Sequence, residues 1–265
     1  MTFLALENKN FLITGVANKK SIAYAVAKGL EDAGAKLYLS LQSEDHFSKV
    51  SPLFPHAEFV ICNVENQPDI DNLGVYFATK NIILHGLLHS IAFANYSQGM
   101  LAFHETSWDN YQQALKISQF SLMALSNTLK CVFHPQASVV TLSISNTRAT
   151  NYGMLGPIKA ALDSSVAFLA KSFSNFSQVR FNAVCAGPLK TSASAGIPGY
   201  VDNYLFAEKL TLRKKALATQ EVADVALFLL SNKSSGINAA SVVVDAGMAV
   251  NYFDQEVVSA VAKDL

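Results

Sequence analysis

Seven short runs of this chain are apolar at nearly every position, at residues 11–14, 36–41, 58–62, 85–91, 138–142, 179–184 and 241–245. Continuous rather than alternating apolarity calls for strands covered on both faces, as in a parallel sheet. Between the runs lie helical patterns, at residues 21–33, 108–130, 152–173 and 219–230, that can supply the covering layers. This order predicts an α/β fold: a Rossmann-like, doubly wound domain with a seven-stranded parallel sheet flanked by helices. No linker, repeat or low-complexity block divides residues 1–265, so one domain is expected. The stretch 190–218 breaks the alternation. With Gly196, Pro198, Gly199, several aromatics and the basic residues Arg213, Lys214 and Lys215, it is expected to form a helical lid or a substrate loop.

Charge and composition narrow the partners. Lys and Arg total 20, as do Asp and Glu, so the formal net charge of zero offers no drive toward nucleic acid or an anionic membrane. Apolar residues make up 51% of the chain, which suggests that some surface is hidden in an oligomer. Cys62, Cys131 and Cys185 are scattered, lack metal-ligand spacing and suit a reducing cytoplasm, with Cys62 and Cys185 expected as core residues and no metal site expected. The opening Met-Thr-Phe-Leu-Ala-Leu-Glu-Asn-Lys has too short an apolar stretch, and no basic lead, for a secretory leader. No apolar run approaches the ~18 residues needed to span a bilayer.

Tyr152 and Lys159 stand seven positions apart. On a helix, seven steps of about 100° fall roughly 20° short of two turns, so both side chains would share a face. A cation near a phenol favours the phenolate and sharpens the hydroxyl as a proton donor. Pro157 is compatible with a helix that begins around residues 153–156, where a missing N–H costs no bond. By itself the spacing is also what two surface residues of any helix show.

The first apolar run ends in Ile13-Thr-Gly-Val-Ala-Asn-Lys-Lys-Ser-Ile-Ala-Tyr24. Gly15 would let the backbone approach a pyrophosphate at a helix N-terminus, although the usual three-glycine pattern is missing. Gly-Val-Ala-x-x-x-Ser-Ile-Ala-Tyr resembles the nucleotide loop of the bacterial enoyl-acyl-carrier-protein reductases, a branch of the short-chain dehydrogenase/reductase superfamily. Further matches follow in order: His89-Ser-Ile-Ala-Phe-Ala94, Ile117-Ser-Gln-Phe-Ser121, Asn151-Tyr-x-x-x-Gly-x-x-Lys159, Ala186-Gly-Pro-Leu-Lys-Thr191 and Ala195-Gly-Ile197. The six-residue gap between Tyr152 and Lys159 is similar to this branch, whereas most of the superfamily has three. The resemblance runs from about residue 8 to 252.

That resemblance implies NADH-dependent reduction of the trans-2 double bond of enoyl-acyl-carrier-protein in fatty-acid synthesis, by a homotetramer. It implies that Tyr152 and Lys159 are catalytic. Gly15, Ser21, Ile22, Gln42, Asn63, Val64, Ile91, Ala92, Lys159, Pro188 and Thr191 would hold the cofactor. Phe93, Ile144, Tyr152 and Ala193 would line the acyl pocket. Glu44 and Asp45, just beyond Gln42, would repel the 2′-phosphate of NADPH, or else simply begin the next helix. Asn63 stands where the family has an aspartate, and its amide oxygen can still accept a bond from adenine. The basic cluster at 213–215 is either a solvated face or a docking point for an acidic carrier protein.

Three departures stand out. Ile144 replaces a second tyrosine of the family, while Ala92 and Ala246 replace glycines. Ser143 or Ser145 could instead supply a hydroxyl, which would suit a carbonyl reductase of the same superfamily. A cofactor-binding relative without turnover is the remaining alternative.

Overall fold

All seven apolar runs form strands; the five inner ones are largely buried on both faces, while the edge strands at residues 58–61 and 241–244 stay partly exposed. The computed structural model describes residues 3–97 and 99–263, without the side chains of Ser192 and Ala193. The first half runs β1 (Asn10–Thr14), α1 (Ile22–Asp32), β2 (Lys36–Leu41), α2 (Glu44–Val50), β3 (Glu58–Ile61) and α3 (Gln67–Thr79). The chain then crosses to β4 (Leu84–His89), followed by α4 (Trp108–Leu115), α5 (Ser121–Leu129), β5 (Phe133–Ile144), α6 (Leu155–Phe173) and β6 (Arg180–Ala186). After these come α7 (Ser192–Ala195), α8 (Tyr200–Leu210), α9 (Thr219–Leu230), β7 (Ser241–Val244) and α10 (Gln255–Ala262). Every strand pairing is parallel, in the order β3-β2-β1-β4-β5-β6-β7.

Burial explains the apolar pattern. Phe11, Leu12 and Ile13 are all fully buried, yet they divide between two cores. Phe11 and Ile13 join Val26, Leu30 and Leu227 on the α1 and α9 side. Leu12 joins Leu73, Leu125 and Leu162 on the opposite face. Arg180 ties the far side together: its guanidinium donates to the carbonyls of Leu229, Ser231, Ser234 and Ile237, bonds that complement the C-terminal end of α9.

Three local expectations need correction. β5 begins at Phe133, because Leu84 pairs with Phe133 before the register shifts to match Gly86 with Ser138. The helix expected over 108–130 is interrupted by a π-helical turn at Lys116–Phe120. Most consequential, Tyr152 does not lie on the helix that carries Lys159. It closes a 3₁₀ turn, Thr150–Tyr152, and Gly153 at φ +59° separates that turn from α6. The face-sharing argument for the pair therefore fails. Pro157 falls in the first turn of α6, as expected. Residues 190–218 form a helical insertion through α7 and α8.

The two glycine replacements differ physically. Ala92 is exposed and has a negative φ, whereas Ala246 is held at φ +53°. A Cβ in the left-handed region costs about 1–2 kcal/mol, partly offset in a glycine variant by greater unfolded-state freedom. Ala246→Gly is thus expected to raise stability by roughly 0.5–1 kcal/mol, read as a higher urea midpoint with an unchanged slope.

Candidate active site

The chain leaves β1 toward β2 on one side, and β4 toward β5 on the other. A crevice consequently opens at the carboxyl ends of β1 and β4, where such sheets take ligands. Gly15 turns out of β1 at φ +82°, and a Cβ there would lie 1.9 Å from the Ser90 carbonyl oxygen. The Thr14 hydroxyl clasps the two strand ends, donating to the Leu88 carbonyl (3.0 Å) and accepting from the Ser90 N–H (3.2 Å). Ser21 caps α1 by accepting from the Tyr24 N–H (3.2 Å), and Ile22 begins the helix. The glycine turn and the helix N-terminus form a cradle that fits a pyrophosphate.

The other sequence-predicted cofactor residues lie along the same edge. Gln42 is exposed after β2, and Glu44 and Asp45 occupy the first turn of α2 behind its cap, Ser43. Asn63 follows β3; its backbone N–H donates to the Asp69 carboxylate (2.9 Å) and its Oδ1 accepts from the Glu65 N–H (3.1 Å). One lone pair of that oxygen remains for a ligand. Val64 beside it is buried. Pro188 and Thr191 follow β6, with the Thr191 N–H donating to Ser194 Oγ (2.9 Å).

Buried polar contacts fix the segment after β4. His89 is fully buried, with Nδ1 2.8 Å from Thr141 Oγ1 and Nε2 2.8 Å from Ser121 Oγ. Burial pushes its pKa down to about 3, so the ring is neutral. One turn away, Ser118 Oγ accepts from the Phe93 N–H (2.9 Å) and donates to the Phe93 carbonyl (3.1 Å). The π-helical turn presents Ser118 and Ser121 to this strand end together, which anchors Ile91, Ala92 and Phe93. Sequence reading saw Ser118 and Ser121 only as parts of a motif.

Lys159 is buried, and its ammonium donates to the Leu142 carbonyl at 2.7 Å. Burial pulls its pKa down to about 8, with Asp163 and Cys185 opposing. Tyr152 shifts the other way. Burial, then the neighbouring Tyr200 and Tyr96, hold its phenol above the ordinary range, and Lys159 is not among the groups acting on it. The expected activation by a nearby cation is therefore corrected: Tyr152 is a protonated hydrogen-bond donor at neutral pH.

Ser143 is buried, and its hydroxyl makes no hydrogen bond of acceptable geometry, although it lies close enough to Asp163 to oppose that carboxyl's burial-driven pKa rise. It thus sits against α6. Ile144 is half-buried at the strand end, and the Ser145 N–H donates to the Ala186 carbonyl (2.9 Å). Burial pushes the Cys62 and Cys185 thiols up to about 11, consistent with core residues.

A pocket opens beside Tyr152, between loop 95–103 and the turn at Gly153 and Met154, with Tyr96, Met100 and Phe103 on its walls. Phe93, Ile144 and Tyr152 itself are not on those walls, and the side chain of Ala193 lies outside the described residues. A second cleft, under α8, is lined by Pro188, Tyr204 and Leu217. In the basic cluster, Arg213 makes a two-pronged pair with Glu221 (2.5 and 2.7 Å), and Lys214 pairs with Asp254. Those bonds leave less free positive charge for a carrier than the sequence suggests.

Known proteins match this arrangement over nearly its whole length. A family sequence model described as "Enoyl-(Acyl carrier protein) reductase" matches residues 15–249. The enoyl-[acyl-carrier-protein] reductase [NADH] of Nostoc sp. is 36% identical over 253 residues, which cover 92% of this chain and 97% of that protein. The enoyl-[acyl-carrier-protein] reductase (NADH) from Aquifex aeolicus superposes with a TM-score of 0.88 at 32% identity, covering 93% of this chain and 98% of its own. The Bacillus cereus enoyl-acyl carrier protein reductase, solved with NADP+ and indole naphthyridinone, gives the same TM-score at 30% identity, also over 93% and 98%.

Because Gly15 combines a positive φ with backbone contact to Ser90, Gly15→Ala must part the ends of β1 and β4. The expected result is at least a tenfold loss of affinity for a reduced nicotinamide dinucleotide, followed by the fluorescence of the bound nucleotide.

Proposed function

The chain belongs to the enoyl-(acyl carrier protein) reductase family, and from that footing we propose that it reduces the trans-2 double bond of enoyl thioesters on acyl carrier protein, using NADH, in fatty-acid synthesis. The observation that carries this reading is Tyr152, a half-buried phenol that desolvation keeps protonated, set beyond the carboxyl end of β5, the strand next to β4 at the dinucleotide crevice. A nicotinamide bound in that crevice would supply hydride to the β-carbon of the substrate. Tyr152 donates a hydrogen bond to the thioester carbonyl, whose oxygen gains enolate charge as hydride arrives and loses it when a proton drawn from water is added at the α-carbon. Lys159 would hold positive potential at the nicotinamide ribose. Gly15, Ser21 and Ile22 would hold the pyrophosphate, and Pro188 and Thr191 would frame the carboxamide.

NADH is favoured because Glu44 and Asp45 stand at the carboxyl end of β2, where a 2′-phosphate would meet repulsion. The buried position of Ser143 against α6 weighs against it as the hydroxyl of a carbonyl reductase, which leaves that reading to Ser145 alone. Exposed apolar residues on one side of the molecule, including Trp108, Phe120 and Phe168, support assembly into a homotetramer. A biosynthetic reductase of this kind belongs in the cytoplasm; among the described residues, no helix is long and apolar enough to cross a membrane.

The purified protein is expected to oxidise NADH when given crotonyl or longer enoyl thioesters. Tyr152→Phe should lower kcat by about 10²-fold with little change in NADH affinity. Full activity in that variant removes Tyr152 from the mechanism, and absence of turnover in the wild type overturns the reading. Lys159, depressed to about 8 in the folded protein, loses its charge as pH rises through that value. NADH affinity should therefore fall above about pH 8, and in Lys159→Met it should be weaker and flat across the same range. Calorimetric titration at several pH values checks both.

A further inference from the structure

Tyr96 carries a buried phenolic oxygen that has no hydrogen-bond partner. A desolvated hydroxyl left in this state costs about 1–3 kcal/mol, so its position calls for a ligand or a reason. Its place is specific: Tyr96 forms a wall of the pocket that also contains Gly153 and Met154, the two residues directly after Tyr152. Tyr96 is also near enough to Tyr152 for its phenol to help hold the Tyr152 pKa high.

The backbone around Tyr96 is fixed from both sides. Phe93 is pinned through its N–H and carbonyl to Ser118, and Asn95 Nδ2 donates to Asn110 Oδ1 in α4 (3.3 Å). The Gly99 N–H closes the turn onto the Tyr96 carbonyl at 2.9 Å. These bonds fix the backbone that carries the phenol, which limits the reorganisation needed when an acceptor arrives, the condition under which a donor stabilises developing charge most. The other polar side chains near Tyr152 are less suited. Ser143 lies under α6, Ile144 has no donor, and Tyr200, whose hydroxyl accepts from the Leu189 N–H (2.9 Å), is not on the walls of that pocket.

We propose that Tyr96 is a second catalytic hydroxyl, which donates to the thioester carbonyl oxygen of the substrate alongside Tyr152. This rests on the enoyl-thioester reading above. A carbonyl oxygen has two lone pairs and can accept from both phenols, and it needs both most when it carries enolate charge. An acyl thioester entering between loop 95–103 and the turn at residues 153–154 gives the Tyr96 hydroxyl the acceptor it lacks. No proton, electron pair or leaving group moves through Tyr96.

Tyr96→Phe tests this with one oxygen removed. Its melting temperature should equal or exceed that of the wild type, since an unpartnered hydroxyl is lost; a clear fall would mean that the hydroxyl has a structural partner and would overturn the proposal. The kcat/KM for crotonyl thioester should drop at least tenfold, with NADH affinity unchanged. Binding in the presence of NAD+ supplies a readout independent of turnover. A saturated acyl thioester should bind the variant several-fold more weakly than the wild type, while the thioether analogue, with methylene in place of carbonyl, should bind both equally. Equal losses for the two ligands, or wild-type kinetics in the variant, defeat the role for Tyr96. If wild-type protein turns over no enoyl thioester, the reductase reading fails first, and the two failures are distinguished.

Discussion

A line of buried hydrogen bonds across the carboxyl ends of β1, β4 and β5 supports everything at the site. Thr14 binds the backbone at Leu88 and Ser90, His89 binds Thr141 and Ser121, and Lys159 binds the Leu142 carbonyl. Each link joins a strand to its neighbour or to the helix packed over it. Such bonds are strong in a low-dielectric interior and costly to leave half-made, so the strand ends have one arrangement rather than several. That rigidity lets Gly15 pass within a Cβ radius of Ser90, and it fixes where the loop carrying Phe93 and Tyr96 leaves the sheet.

The electrostatics of the site follow from the same burial. Few formal charges are present, and those that are carry a desolvation cost. Burial pulls Lys159 down to about 8, pushes Tyr152 upward and keeps His89 neutral. A phenol that resists ionisation is a poor base and a dependable donor. For a reaction that places negative charge on a carbonyl oxygen, the donor is the useful form, because its hydrogen bond strengthens as the charge grows. The cation does not have to touch the phenol for this to work; it has to hold potential nearby while staying hydrogen-bonded itself.

The strands were legible because their constraint is local and repeated. Phe11, Leu12 and Ile13 must each be apolar when alternate residues enter different cores. Helix existence was legible for the same reason. What local pattern cannot carry is a decision made by tertiary contact. The pairing of Leu84 with Phe133 extends β5 through a stretch with Pro135, and the π-helical turn exists where Ser118 and Ser121 both reach back to β4 and its loop. Tyr152 shows the limit most clearly. Its seven-residue spacing from Lys159 suggested a shared helix face, yet Gly153 at positive φ divides them. The family pattern is what marks the two residues, since helix geometry does not place them on one face.

Tyr96 lies beyond both kinds of reading. It belongs to no periodic element, and no motif marks it; only the folded chain shows that its hydroxyl is shut away from water without a partner. Among the described residues two buried side-chain polar atoms lack a partner, the Tyr96 and Ser143 hydroxyls, while others are satisfied down to the four backbone carbonyls gathered by Arg180, so the orphan near Tyr152 is not a general looseness of packing. Unsatisfied groups persist where something other than the resting fold makes use of them. The chain has an isoleucine, Ile144, where its relatives' pattern has a tyrosine, and it has a desolvated tyrosine on a neighbouring loop. A carbonyl oxygen at this site could then meet two phenols again, approached from the β4 side rather than from the end of β5.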